Sequence, residues 1–157
     1  MSSWGDTPLS LASLRSLALS PPAGRGKSVR FAGYASVFDA PDRGGDVVRK
    51  GAFRLAGTVP LLWQHGGAPV GAVEWLGEDS RGLRVIGSVT EPRLAAAVAA
   101  GAVDGLSFGY RVVAARRGAV RELLGLELQE VSLVASPMQP LARVHAVAGQ
   151  RKTIPIT

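Results

Sequence analysis

The chain contains no cysteine among its 157 residues. That absence excludes a thiol nucleophile, a zinc ribbon and a disulfide-stapled scaffold, and it suits a reducing compartment. Histidine is nearly as scarce, with only His65 and His145. A catalytic zinc would have to recruit both together with a carboxylate, and no HExxH spacing is present, so neither a metal nor another cofactor is expected. No run approaches the ~18 apolar residues of a membrane span. The opening MSSWGDTPLSLASLRSLALS lacks a positive n-region, and Arg15 interrupts its apolar run, so it does not read as a signal peptide. Acidic residues are outnumbered, 12 against 18 Lys and Arg, for a net charge of +6. Such a surplus favours polyanions. The cations are scattered, however, densest at Arg116–Arg117 and Arg151–Lys152. Without a basic helix or a stripe interleaved with aromatics, specific nucleic-acid binding is not expected.

What is present reads as one globular domain. Hydrophobic residues make up 46% and charged residues 19% of the chain, and a chain of this length can bury roughly 70% of the surface it exposes when unfolded. Glycine and proline, 20 and 10, are abundant for a helical bundle and usual for a turn-rich β protein. Residues 1–28 are rich in Ser, Leu and Pro. Thr7 and Pro8 can cap and start a short helix with Leu11, Leu14 and Ala18 on one face, which reads as a terminal arm or a docking peptide. From Val29 the pattern is β: VRFAGYASVF, VPLLWQH, the hairpin PVGAVEWLG–EDSRG–GLRVIGSV, LSFGYRVVAA and VRELLGLELQEVSLVAS. Between them lies a helix from about Pro92 to Ala100, closed by Gly101. Six to eight strands and one or two helices, without βαβ alternation, predict a mainly β domain over 29–147, a small closed barrel or a sandwich, followed by a tail over 148–157.

Three residues invite chemistry. Ser107 stands in Gly105-Leu106-Ser107-Phe108-Gly109, where flanking glycines leave room for close backbone approach. A serine hydroxyl becomes a nucleophile only beside a base. His65 is the natural base, since neutral imidazole accepts a proton near physiological pH. It ends the apolar run Leu61-Leu62-Trp63, which puts it at a strand end near the rim of a core. Glu130 follows the period-two apolar face of Leu126 and Leu128. Either a bulge switches the phase at Gln129–Glu130, or the carboxylate points inward, where a histidine in need of orientation would compensate it. GLSFG also fits the nucleophile-elbow pattern, with Glu130 and His145 following in matching order. An elbow needs a helix after the serine, and Tyr110-Arg111-Val112-Val113 continues as strand. Asp39, Asp42 and Asp46 read as an Asx-capped turn rather than a metal site.

Taken together, four blocks resemble the phage prohead proteases, the capsid maturation proteases of tailed phages. They are Gly33–Asp39 with Gly45-Asp46 and Gly51-Ala52-Phe53; Leu61–His65 with Pro69-Val70-Gly71; Gly105–Tyr110; and Glu130–Val134 with Ser136-Pro137 and Pro140. The resemblance runs from about Phe31 to Val144. It implies a herpesvirus-protease-like β-barrel with peripheral helices, and a serine endopeptidase with Ser107 as nucleophile, His65 as base and Glu130 as third member. Related herpesvirus assembly proteases use a second histidine, which keeps His145 a candidate. The implied substrates are the scaffold region of the major capsid protein and the protease itself. The implied place is the procapsid in the bacterial host cytoplasm, with dimerisation or confinement as the restraint. A non-catalytic capsid- or scaffold-binding module with the same fold is the alternative.

Overall fold

The structure, a computed structural model, describes residues 28–55 and 57–148; the helix foreseen around Thr7–Ala18 and the C-terminal tail from residue 149 lie outside them. The described residues form nine strands and one helix, in the order β1 (Val29–Val37), β2 (Asp46–Val48), β3 (Phe53–Arg54), β4 (Pro60–Trp63), β5 (Gly66–Glu78), β6 (Gly82–Val89), α1 (Pro92–Ala99), β7 (Gly105–Arg117), β8 (Arg121–Val134) and β9 (Val144–Ala148). The mainly β expectation is borne out. No helix among these residues is long and apolar enough to cross a membrane.

All the strands belong to one sheet, ordered β2-β8-β4-β5-β6-β1-β9, with β3 and β7 also pairing β8. Strand β8 is the spine. One edge carries β2, β3 and β4 in parallel, at Arg121–Leu123, Leu126–Glu127 and Val131–Leu133 in turn. Its other edge carries β7 antiparallel along nearly its whole length. At the start of β7, Leu106 N–H donates to Ala142 O (3.0 Å) and Val144 N–H to Asp104 O (2.8 Å). The same segment receives Tyr34 N–H of β1 at Arg143 O. The hydrogen-bonded circuit therefore returns on itself at that end, which removes an exposed edge there.

The strand count exceeds the expected six to eight because β2, β3 and β9 are short or lie in stretches that read as turn and tail. A two- or three-residue strand exists only through its register on a distant partner, which no local pattern reports. The hairpin β5–β6 forms as foreseen. Helix α1 also matches: Pro92 opens it, Glu91 caps it by accepting Leu94 N–H at 2.7 Å, and Gly101 follows at φ +79°. It lays Leu94, Ala95 and Val98 against a core that includes Phe31, Leu61, Leu83, Leu106, Val131 and Leu133. Five of those six are Leu or Val side chains, and each such side chain taken fully from water contributes roughly 1.5–3 kcal/mol.

Candidate active site

His65 is placed by a strained turn. Trp63 pairs with Gly66, so Gln64-His65 is a two-residue hairpin loop between β4 and β5. Both residues are left-handed, with φ of 54° and 64°. This is the turn that matches strand twist, but it ordinarily takes Asn or Gly. Strain of this kind persists where surroundings over-determine it, and here β8 does so. Gln64 N–H donates to Leu133 O (3.0 Å), His65 N–H to Ser132 Oγ (3.0 Å), and Ala135 N–H to Gln64 Oε1 (2.7 Å). The sequence reading of His65 at a strand end is thus refined, since β4 stops at Trp63 and Gly66 at once begins the next strand.

Glu130 meets it from β8. Glu130 Oε2 lies 2.6 Å from His65 Nδ1, and Glu130 Oε1 accepts Ser132 Oγ–H at 2.7 Å. A carboxylate facing Nδ1 fixes that nitrogen as the protonated one and leaves Nε2 as an acceptor. The Glu130 side chain is 13% exposed and the His65 side chain 44%, so the pair sits at the surface with its carboxylate sheltered.

Of the two alternatives that the sequence posed for Glu130, the bulge is the one that occurs, and the carboxylate finds its histidine on the face opposite the apolar one. Gly109 opposes Glu130 and Tyr110 opposes Leu128, which leaves Gln129 unopposed as a bulge. The bulge moves the buried apolar face from Leu126 and Leu128 to Val131 and Leu133. Glu130 and Ser132 then share the other face, and that face carries His65.

Ser107 approaches from the opposite edge of β8. It pairs with Ser132, which pairs in turn with Leu62 of β4. The strand order therefore sets Ser107 on one side of the Glu130–Ser132 segment and His65 on the other. Ser107 is 7% exposed. Both residues line one cavity of about 430 Å³, walled also by Phe108, Tyr110 and Met138. No hydrogen bond joins Ser107 to His65 among the described residues. Catalytic hydrogen bonds often tighten only in the substrate complex.

The flanking glycines serve a different purpose from the one the motif suggested. A Cβ at Gly105 would lie 2.7 Å from Val134 O, and one at Gly109 2.3 Å from Glu130 Oε2. They admit β8 and the carboxylate rather than a ligand. The elbow reading fails because β7 runs unbroken from Gly105 to Arg117, with no helix after Ser107.

His145 lies elsewhere. Its ring stacks edge-on against Tyr34 at 5.3 Å and does not line the cavity. Tyr34 O–H donates to Asp79 (2.5 Å) and accepts from Arg84, which also pairs with Asp79. Burial, with Arg81 and Arg84 nearby, holds the His145 imidazole below its usual range. Asp42 Oδ1 accepts Gly44 and Asp46 N–H, the foreseen Asx turn. Among the described residues, no group of three His, Asp or Glu converges as a metal site. Arg116, at the hairpin end, is bound to Glu122. Sequence reasoning missed Ser132 and Gln64 as parts of the site. The one available signal was that Ser132 lies two residues from Glu130 and so shares its face.

A sequence profile described as caudovirus prohead serine protease matches residues 16–155. The prohead protease of Enterobacteria phage HK97 is 39% identical over 101 residues, which cover 57% of this chain and 45% of that protein. The chain thus spans about half the length of this relative. Among solved structures, KSHV protease in complex with a hexapeptide phosphonate inhibitor overlaps with a TM-score of 0.49 at 16% identity, over 74% of this chain and 64% of that one.

Proposed function

The chain belongs to the caudovirus prohead serine proteases, and from that premise we propose that it is a serine endopeptidase which cuts the scaffold region of the major capsid protein, and its own chain, within the procapsid in the bacterial host cytoplasm. The observation that carries the reading is the His65 Nδ1–Glu130 Oε2 contact of 2.6 Å, with His65 and Ser107 lining one cavity.

In this mechanism Glu130 holds the tautomer with Nδ1 protonated, and His65 Nε2 takes the Ser107 proton as Oγ attacks the scissile carbonyl. The tetrahedral intermediate collapses to an acyl-enzyme as Nε2–H protonates the departing amine. Water, deprotonated by the same Nε2, then releases the acyl group. Glu130 stays ionised and stabilises the imidazolium formed in each half-reaction. Cutting waits for assembly because confinement in the shell, or dimerisation, supplies what the free enzyme lacks.

The test is co-expression with a major capsid protein from the same phage or prophage, read by intact mass. Wild type should trim the capsid protein, and Ser107→Ala and His65→Ala should not. His145→Ala should trim as wild type does. If wild type trims nothing while shell assembly still depends on it, a capsid- or scaffold-binding module replaces the protease.

A further inference from the structure

A second cavity, of about 370 Å³, lies between helix α1, the end of β4 and the first half of β5, and shares no wall with the cavity that Ser107 lines. Its size falls within the range of ligand pockets, roughly 300–1,000 Å³. Its walls are Trp63 of β4, Val70 of β5, Leu94 and Ala97 of α1, and Val103 beyond the helix. Trp63 is 36% exposed. A large aromatic left open beside four aliphatic side chains marks an interaction surface. Arg93, exposed beside them, forms no ion pair among the described residues.

The occupant follows from where the chain enters the fold. Val29, the first residue of β1, pairs with Val89 of β6, and Val89 pairs with Gly71 of β5. Two strand spacings, roughly 10 Å, thus separate the entry point from Gly71. Gly71 adjoins Val70, whose carbonyl accepts Thr90 and Glu91 N–H just before α1. Upstream of Ser28, residues 20–27 read SPPAGRGK, a linker that reaches roughly 26 Å at ~3.3 Å per residue. Before the linker stand Leu9, Leu11, Leu14, Leu17 and Leu19, with Arg15 the only charge among them. Leucines at that density call for an apolar partner. Leu11, Leu14 and Ala18 have the i, i+3, i+7 spacing of a helix that lays one face into a groove. Asp6 is the only carboxylate before Ser28, which complements the open Arg93. The C-terminal segment is a poorer fit. Ala148 pairs with Arg30 on the side of β1 away from β6, one strand further from the groove, and residues 149–157 hold only Ile154 and Ile156 as large aliphatic side chains.

We propose that this groove receives the chain's own N-terminal segment, with Leu11, Leu14 and Ala18 against Trp63, Leu94 and Ala97, and with Asp6 beside Arg93. The docked segment covers Trp63, the residue that opens the Gln64-His65 turn, and so braces the strand end that carries His65. A short linker holds the segment at an effective concentration of about millimolar, so a modest apolar contact suffices.

The absence of cysteine makes the test direct. In the full-length protein, Leu11→Cys or Leu14→Cys is combined with Ala97→Cys and oxidised mildly. A disulfide within one chain should form at least ~10-fold faster than when Val113→Cys, at an exposed position of β7, replaces Ala97→Cys, because docking raises the local concentration. Trp63 gives a second readout that needs no cysteine. In a Trp4→Phe background, Leu11→Glu with Leu14→Glu should raise acrylamide quenching and shift tryptophan emission to the red, whereas Ile154→Glu should do neither. Equal disulfide rates to Ala97→Cys and Val113→Cys from both arm positions would overturn the proposal, as would quenching unmoved by the paired Glu substitutions. Disulfides that link two chains would overturn it in favour of a second copy, and quenching raised by Ile154→Glu alone in favour of the C-terminal segment. No arm of the test reads capsid trimming, so its outcome stands apart from the protease reading.

Discussion

Gly109 lies directly across the β7–β8 ladder from Glu130, and the carboxylate of Glu130 fills the space a side chain at 109 would need, with Oε2 2.3 Å from an ideal Cβ position. The carboxylate's reach to His65 therefore depends on the absence of one methyl group two residues after Ser107. Gly109→Ala must push Glu130 aside or shift the strand. Overpacking of this kind costs about 1–3 kcal/mol of stability. The larger expected effect is on catalysis: kcat/KM should fall ~10²–10⁴-fold, towards the level of a variant that lacks the acid. In a Glu130→Ala background the same substitution should cost little more, because the obstructed group is gone. Independent, multiplying losses in that double variant would show that Gly109 acts through something other than Glu130.

Glu130→Gln tests the tautomer argument. The amide keeps the size of the side chain but can present N–H to Nδ1, which favours a ring whose Nε2 carries the proton and cannot take one. The expected loss in kcat is up to ~10⁴-fold with substrate affinity little changed. Combining Ser107→Ala with His65→Ala should be no worse than either alone, since the two act as a unit. Steady-state rates on a peptide spanning the mapped cut would check both. A Glu130→Gln enzyme with near-normal kcat would reduce Glu130 to a structural neighbour of His65.

Much of this arrangement was legible in the chain, and the part that was not has a physical cause. Ser107 stood out for its flanking glycines, His65 as a base at the end of an apolar run, and Glu130 because it breaks a period-two apolar pattern, where a carboxylate is costly unless partnered. The period-two pattern of β8 posed a bulge at Gln129–Glu130 as one of two alternatives, and the ladder has it. What local pattern cannot carry is pairing across long sequence distance. The contact of Ser132 with the His65 amide spans 67 residues, and β2 and β3 are strands only because β8 lies beside them. The left-handed turn at Gln64-His65 was hidden for the opposite reason. Neither residue favours that conformation, so nothing in their types announced it, and only the three bonds to β8 and the residue after it explain why it stands.

Ser132 is expected to position rather than react. Its hydroxyl is fully buried, donates to Glu130 Oε1 and accepts His65 N–H. Ser132→Ala leaves the His65 amide without its partner and frees one carboxylate oxygen. An unpaired buried group costs roughly 1–3 kcal/mol, which as misplacement of the pair corresponds to a ~10–100-fold fall in kcat. KM should hardly move, because Ser132 does not line the cavity. A rise in KM with kcat unchanged would contradict the positioning role.

The Gln64 side chain should matter through the turn. Gln64→Ala removes the 2.7 Å bond from Ala135 N–H and leaves a residue that still dislikes a φ of 54°. Gln64→Gly removes the same bond but relieves the strain. Thermal unfolding should therefore rank wild type above Gln64→Gly, and Gln64→Gly above Gln64→Ala by about 1 kcal/mol. Equal stabilities for the two variants would mean that the left-handed conformation stores no cost.

His145 gives the fold an acid sensitivity separate from catalysis. Its imidazole is held below the usual 6.5, first by burial and then by Arg81 and Arg84. The sign follows from which state binds the proton. Below about pH 6.5 the unfolded chain protonates His145 readily while the folded chain resists, so proton uptake favours unfolding. The stability associated with a neutral His145 is complete above that pH and is lost as pH falls through the depressed folded value. Urea midpoints for wild type should accordingly drop between pH 7.5 and 5.5. His145→Gln cannot take up that proton, so its midpoint should drop less over the same window, while capsid trimming at pH 7.5 stays at the wild-type rate. A parallel pH dependence in variant and wild type would assign the acid sensitivity to other groups, and loss of trimming would bring His145 back into the catalytic site.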